Sequence, residues 1–388
     1  MRAALISIAE TPVPVAGKSL ARRQLDFALA AGCERVIALG NGASPEAITL
    51  RHAAEARGAR FQCIGDTHGL LGAVPAADEL LVLAPGLLPE DAVALESLER
   101  GSAVLVLPAG PGVAAGFERI DLERAWGGAL VLPGRLVERL SDLPADSEAT
   151  AALLRIALQA RVAEKRLAEQ VLAEGSWAIV GRGDDAALRE QAWLKRNLPS
   201  SDGIGAARAL ARFGLSRLAI ALLARPHALT GLWSAVALAL GGGVGAAALG
   251  SPAPGFVLVT LGALIAECAV GLVRLRDAPF GARAAAGLNL LVPCVVDAAL
   301  VVCAALAIDG DWLHRLFPPL ALLGALHASR PGRWSNLAAL LGDRAILALA
   351  FALAAALDIV EPAVMLAALA ILALDAAVFR SRLRITPA

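Results

Sequence analysis

Apolar positions fall into two regimes along the 388 residues. Up to about residue 190 they come in short runs separated by amphipathic stretches, and beyond it they come in long blocks. In the first regime Ala3–Ile8, Arg35–Leu39, Phe61–Ile64, Leu80–Leu83, Ala103–Leu107 and Ala129–Leu132 read as buried strands, several bounded by Gly or Pro. Between them Ser19–Ala31, Pro45–Arg57 and Glu90–Arg100 carry apolar residues at helical spacing. Ser44-Pro45 has the form of an N-cap followed by proline at the first helical position. Strand–helix alternation predicts an α/β layer on a largely parallel sheet. Ser147–Glu174, with interleaved charges, predicts a long helical connector.

In the second regime six apolar segments are predicted as spans: Leu229–Gly250, Gly255–Val273, Ala284–Ile308, Leu313–Ala328, Ala345–Val360 and Pro362–Phe379. Several approach the ~20 residues that cross a bilayer, and the fourth and fifth are short. Arginines crowd alternate connections. Arg208, Arg212, Arg217 and Arg225 precede the first span, Arg274, Arg276 and Arg283 follow the second, Arg330, Arg333 and Arg344 the fourth, and Arg380, Arg382 and Arg384 the sixth. The other loops hold only Arg315, beside Asp309, Asp311, Asp358 and Glu361. Positive charge marks the cytoplasmic side. The expectation is a multi-pass protein of the inner (cytoplasmic) membrane with both termini cytoplasmic. Residues 202–225 form an arginine-studded amphipathic stretch, read as a helix in the cytoplasmic interface with membrane lipid as partner.

Composition sharpens the division. Hydrophobic residues make up 57%, charged residues 18%, and the mean hydropathy is +0.66, against roughly 45–50% apolar content in a soluble domain. That excludes a wholly soluble protein, a disordered chain and a nucleic-acid binder. The net charge of zero hides a split: residues 1–190 hold 19 Lys+Arg and 25 Asp+Glu, a net of −6, and the remaining 16 and 10 give +6. The five cysteines, Cys33, Cys63, Cys268, Cys294 and Cys303, have neither CxxC spacing nor histidine neighbours. Neither a disulfide framework nor a zinc site is expected. The apolar run after Met1 is too short for a signal peptide.

Two pieces of chemistry stand out in the first half. Ala16-Gly17-Lys18-Ser19 ends like a phosphate loop, but the pattern needs glycine five residues before Gly17, where Pro12 stands. The plainer reading is a helix N-terminus holding Lys18 and Ser19. The strand Ala3–Ile8, then Gly17-Lys18-Ser19-Leu20, then Ala31-Gly32 before Arg35–Leu39, resembles the opening of nucleotidyltransferase-like domains that activate sugars or alcohols with CTP or other NTPs. That resemblance implies a glycine-rich phosphate loop after Ile8 and a metal-binding aspartate near Leu83. The sequence has Glu10-Thr11-Pro12-Val13-Pro14 and Ala84-Pro85-Gly86 instead, so both the cradle and the ligand are missing.

An α/β half, an interfacial helix and six spans together resemble the CDP-alcohol phosphatidyltransferase family, in its members fused to an N-terminal nucleotidyltransferase domain. Trp193-Leu-Lys195, Asp202-Gly203 and Arg212–Ser216 are similar to the segment that leads into the family's first span. The resemblance implies four signature aspartates on two facing helices, a pair of Mg²⁺ or Mn²⁺ ions on the CDP pyrophosphate, and an aspartate that deprotonates the attacking alcohol. Aligned without gaps, Leu264, Glu267, Ala285 and Asn289 occupy the four positions, with Cys268 in place of glycine and Gly281 retained. One carboxylate in four survives. Asp297, two turns beyond Asn289, is the candidate substitute, so Glu267 and Asp297 are the candidate metal ligands. The degenerate catalytic positions are Glu267 and Asn289. Arg208, Arg212, Arg276 and Gly281 are the candidate substrate or lipid-phosphate contacts.

The expectation is therefore an α/β nucleotidyltransferase-like domain over 1–145, a helical connector over 146–190, a juxtamembrane interfacial helix over 191–228 and an all-α six-span domain over 229–380. Its work is expected to be that of a catalytically degenerate binding or regulatory partner in phospholipid or polar-lipid biosynthesis. CDP-alcohol or CDP is the expected small ligand, and a homodimer or an active transferase the expected protein partner. The alternatives are an active phosphoalcohol transferase with an altered metal site, and a small-molecule transporter. For the latter no inverted repeat is visible.

Overall fold

The computed structural model describes residues 1–9, 14–99, 101–181, 186–198, 205–280, 282–328 and 342–383. Its contacts divide the chain into two units, Met1–Arg196 and Asn197–Ala388.

In chain order the first unit contains β1 (Arg2–Ser7), β2 (Pro14–Val15), β3 (Lys18–Ser19), α1 (Leu20–Ala30), β4 (Arg35–Leu39), α2 (Pro45–Glu55), β5 (Arg60–Ile64), α3 (Gly69–Ala73), β6 (Glu79–Leu83), β7 (Leu87–Pro89) and α4 (Ala92–Glu99). There follow β8 (Ala103–Pro108), α5 (Ala109–Ala114), β9 (Arg124–Pro133), α6 (Gly134–Val137), α7 (Ala149–Gln159), β10 (Glu164–Arg166), α8 (Gln170–Ala173), β11 (Trp177–Ile179) and α9 (Ala186–Asn197). Seven strands form one sheet in the order β5-β4-β1-β6-β9-β8-β10. Central strands buried on both faces need continuous apolar runs, and Ala3–Ile6 and Leu80–Leu83 supply them, fully buried. Each such Leu or Ile side chain contributes about 1.5–3 kcal/mol. Local signals place the helices: Ser19 and Ser44 cap α1 and α2, accepting the N–H of Arg22 and Ala47 at 3.1 Å.

The sheet is largely parallel, as expected, with β9 reversed and antiparallel to both β6 and β8. The link between β8 and β9 is only α5 and a short loop, which turns the chain back beside β8. The register slips between Val104 and Val106, opposite Gly127 and Gly128, where a Cβ on Gly127 would lie 3.1 Å from Leu105 Cβ. The long connector over Ser147–Glu174 is not one helix. α7 ends at Gln159, and just beyond it Arg161 is left-handed (φ 54°), with the N–H groups of Arg161 and Val162 turned back to the carbonyls of Leu158 and Ala157. The chain beyond it adds β10 to the sheet edge beside β8. Residues 146–190 thus belong to the first unit.

The second unit is helical: α10 (Ala206–Leu223), α11 (Ala228–Ala248), α12 (Pro252–Asp277), α13 (Ala282–Ala307), α14 (Trp312–Ala328), α15 (Arg344–Ala356) and α16 (Val360–Leu383). The interfacial helix expected over 191–228 is instead two helices, α9 and α10, and α9 up to Arg196 belongs to the first unit. Helices α11 to α16 fall on the six predicted segments. Among the described residues three are long and apolar enough to cross a membrane: Ala228–Ala248, Pro252–Asp277 and Gly287–Ala307. α15 has 13 residues, about 20 Å at 1.5 Å per residue, short of the hydrocarbon thickness. α14 carries two internal prolines, Pro318 and Pro319.

The unit wears its apolar residues on both sides. Phe256, Val259, Cys303, Ala348 and Val364 are fully buried, and Leu238, Leu290, Leu291, Leu353, Leu366 and Leu369 are exposed. α11 and α12 meet backbone to backbone. A Cβ on Gly243 would sit 2.8 Å from the Gly255 carbonyl oxygen, and one on Gly255 would sit 2.7 Å from that of Gly243. Small residues give membrane helices this approach. Within the Gly241-Gly242-Gly243 run only Gly243 needs it, since a Cβ on Gly241 meets nothing within 4 Å.

Candidate functional site

In the first unit the residues singled out for phosphate chemistry have other employment. Ala16 (φ 48°) and Gly17 (φ 76°) form the turn of the β2–β3 hairpin. The Lys18 ammonium lies 2.7 Å from Asp26 Oδ2, and Asp26 also accepts Arg57 at 2.9 Å and Arg22 at 3.3 Å. Burial pushes Lys18 below the usual lysine range, outweighing Asp26. Burial alone would raise Asp26, but Lys18, Arg22 and Arg57 hold it below the usual carboxylate range. After β6, where the resemblance implies a metal-binding aspartate, the Gln24 amide donates to the carbonyls of Ala84 (2.8 Å) and Leu87 (3.0 Å). Residues 10–13 lie outside the described residues.

The second unit contains a cavity of about 560 Å³ lined by α10, α12, α13, α14 and the start of α15, a volume in the usual range for small-ligand sites. The two positions that the resemblance singled out as catalytic, Glu267 on α12 and Asn289 on α13, line it, together with Arg208 of α10. Arg208 Nε lies 3.5 Å from Glu267 Oε1, at the limit of a hydrogen bond. Arg274 donates to Asn289 Oδ1 at 2.5 Å. Asp297 is buried and bound two-fold by Arg344, Nε to Oδ1 at 3.1 Å and Nη2 to Oδ2 at 3.2 Å. His327 Nε2 stands 3.8 Å from the same carboxylate. Among the other candidates Arg212 is half-buried and Arg276 exposed, and neither lines the cavity. Gly281 lies outside the described residues, as do Asp202 and Gly203.

Three polar lining residues were not among the site candidates: Asp343, His327, and Arg344, which was read only as cytoplasmic-side charge. Asp343 joins two helix starts, accepting the N–H of Ala207 at 2.8 Å and of Ala345 at 3.0 Å. Its signal was legible as an N-cap residue directly before an apolar run. Gly205 is fitted to it, since a Cβ there would lie 2.5 Å from Asp343 Oδ2. Nothing in the sequence pairs Arg344 with Asp297, 47 residues away. Among the described residues no group of three or more His, Cys, Asp and Glu is placed to hold a metal ion. The donors at hand, Glu267 and Asp297, face guanidinium groups.

No family model matches the chain, and no curated protein matches it. Among solved structures it is similar to a protein from Bacillus anthracis described as a glucose-1-phosphate thymidylyltransferase, in complex with sucrose. The match is 9% identical, covers 48% of this chain and 98% of that one, and has a TM-score of 0.35. A likeness of that size says nothing of substrate or site.

Proposed function

We propose that the protein is an inner-membrane member of the CDP-alcohol phosphatidyltransferase fold with a nucleotidyltransferase-like N-terminal domain, and that it binds a ligand without transferring it. In this reading all six helices from α11 to α16 lie in the membrane, both termini are cytoplasmic, and the protein serves polar-lipid biosynthesis as a catalytically degenerate partner. The ligand is a phosphate-bearing headgroup or CDP-alcohol, held in the cavity of the second unit. One observation carries the reading: Glu267 and Asn289, the positions where the family signature falls, line one cavity with Arg208 and Arg344. Arginines bind phosphate through paired donors. Mg²⁺ wants near-octahedral oxygen coordination, and the carboxylates at hand do not fit it, because Glu267 and Asp297 neutralise guanidinium groups.

Thermal unfolding of the detergent-purified protein tests this, with CDP or a CDP-alcohol in EDTA and in Mg²⁺. A ligand at ~100 times its Kd stabilises by about 2.7 kcal/mol, so binding raises the midpoint in EDTA. Loss of that rise in Arg208→Ala places the ligand in the cavity. No shift under any combination refutes the binding reading. The survival of Glu267 favours a second reading, an active transferase with an altered site. A shift that requires both nucleotide and metal, with turnover abolished by Glu267→Gln, supports that one instead.

A further inference from the structure

The last helix of the first unit, α9, is packed onto the residues that follow the central strands of the sheet. Ligands of open α/β sheets bind outside the carboxyl ends of the strands, where the strand order reverses. Here the reversal lies at β1, flanked by β4 on one side and β6 on the other. The elements beyond those ends are the β2–β3 hairpin after β1 and β7 with Glu90 after β6.

α9 touches both. Glu190 Oε1 accepts the N–H of Ala16, in the hairpin turn, at 2.8 Å. One turn on, the Trp193 indole is buried, with the Arg23 guanidinium 4.7 Å over its ring and its Nε1 donating to Glu90 Oε1 at 2.8 Å. Arg23 and Arg196 also bind the Glu90 carboxylate, whose side chain is 1% exposed. β11 shields the same edge by pairing with β7, and the Val180 N–H donates to the Gly86 carbonyl at 2.8 Å.

Three chemical features thus converge beyond these strand ends: a carboxylate on a backbone N–H, a flat heteroaromatic ring under a guanidinium, and a ring N–H donated to a buried carboxylate. Residues three apart on a helix are neighbours, so one short stretch of α9 supplies all of them. An anion attached to a stacking ring with an N–H donor is also the description of a nucleoside phosphate. We propose that α9 is a tethered self-ligand, a plug that occupies a nucleoside-phosphate-binding crevice in the first unit and must leave before that site can fill. The inference is independent of the cavity in the second unit. No bond is made or broken; the plug and the nucleotide compete for Ala16, Arg23 and Glu90. A ligand that binds only the open state has its affinity reduced by the open fraction.

The test uses full-length protein in detergent and measures direct binding of GTP, ATP, CTP and UTP to the wild type, Trp193→Ala and Glu190→Gln. Glu190→Gln removes the anion from the Ala16 N–H and leaves the buried ring in place. The expected result is roughly tenfold or more tighter binding of at least one nucleotide in Trp193→Ala, and a smaller gain in Glu190→Gln. Adding Arg208→Ala, which alters only the cavity of the second unit, leaves that gain intact. Should Trp193→Ala fail to fold, Glu190→Gln decides, together with hydrogen exchange of the wild type: saturating nucleotide is expected to speed exchange over residues 186–197. The proposal is overturned if no folded variant binds a nucleotide more tightly than the wild type and exchange over 186–197 is unchanged. It is also overturned if the gain disappears with Arg208→Ala.

Discussion

The pair between Asp297 and Arg344 makes an asymmetric prediction. Asp297 sits in the middle of α13 with its side chain 2% exposed, and the Arg344 side chain, at the start of α15, is 29% exposed. Replacing Arg344 by Leu leaves a buried carboxylate with the His327 ring nitrogen 3.8 Å away. Breaking a buried pair from one side costs about 3–5 kcal/mol. Replacing Asp297 by Asn instead leaves a guanidinium that can turn into the cavity and be hydrated, and a neutral amide that still bonds, so the cost is about 1–2 kcal/mol. Replacing both by Leu removes the charge and its countercharge together, and is expected to cost less than Arg344→Leu alone. At roughly 2–4 °C per kcal/mol for a domain of 150–250 residues, Arg344→Leu lowers the unfolding midpoint by about 6–20 °C and Asp297→Asn by about 2–8 °C. Unfolding followed by tryptophan fluorescence in detergent, for the two single variants and the double, reads all three values. The reasoning is refuted if Arg344→Leu is no worse than Asp297→Asn, or if the double Leu variant is no more stable than Arg344→Leu.

Three further outcomes follow from the packing. Asp26→Asn is expected to cost roughly 1–3 kcal/mol at pH 7. Asp26 is held below the usual carboxylate range, so its contribution is present above about pH 4 and lost as pH falls through its folded value; urea midpoints of variant and wild type should converge on acidification. Cys33 is buried, and burial pushes its thiol up to about 12, whereas Cys294 is exposed and lines the cavity. Maleimide at pH 8 should therefore modify Cys294 first and Cys33 only on unfolding, as mass spectrometry of digests will show. Gly255→Leu pushes α11 from α12, with a cost of about 1–3 kcal/mol or more, while Gly241→Leu, at a position where a Cβ meets nothing within 4 Å, should leave the midpoint within ~0.5 kcal/mol of the wild type. Equal losses at the two glycines would contradict the helix contact.

What the sequence determined by itself were the features written in local period and local chemistry. Runs of four to six apolar residues bounded by turn residues read as strands buried on both faces, and β1, β4 and β8 begin or end within a residue of those runs. Long apolar blocks broken by arginines became α11 to α16 for the same local reason, and Ser19 and Ser44 announced their helices. Tertiary structure decided what depends on distant partners. No periodicity sets β9 antiparallel, or spends Lys18 on Asp26 rather than on an anion. Trp193, part of the segment similar to the family's lead-in to its first span, is a buried residue of the first unit, with Arg23 over its ring and Glu90 accepting its N–H, partners far back in the chain that no local pattern announces. In the cavity, Glu267 and Asn289 were legible as positions that a resemblance singles out, and what faces them was not. A carboxylate becomes a metal ligand or a counter-ion according to what faces it, and what faces Glu267 and Asp297 are Arg208 and Arg344, brought there by helices the sequence could not orient.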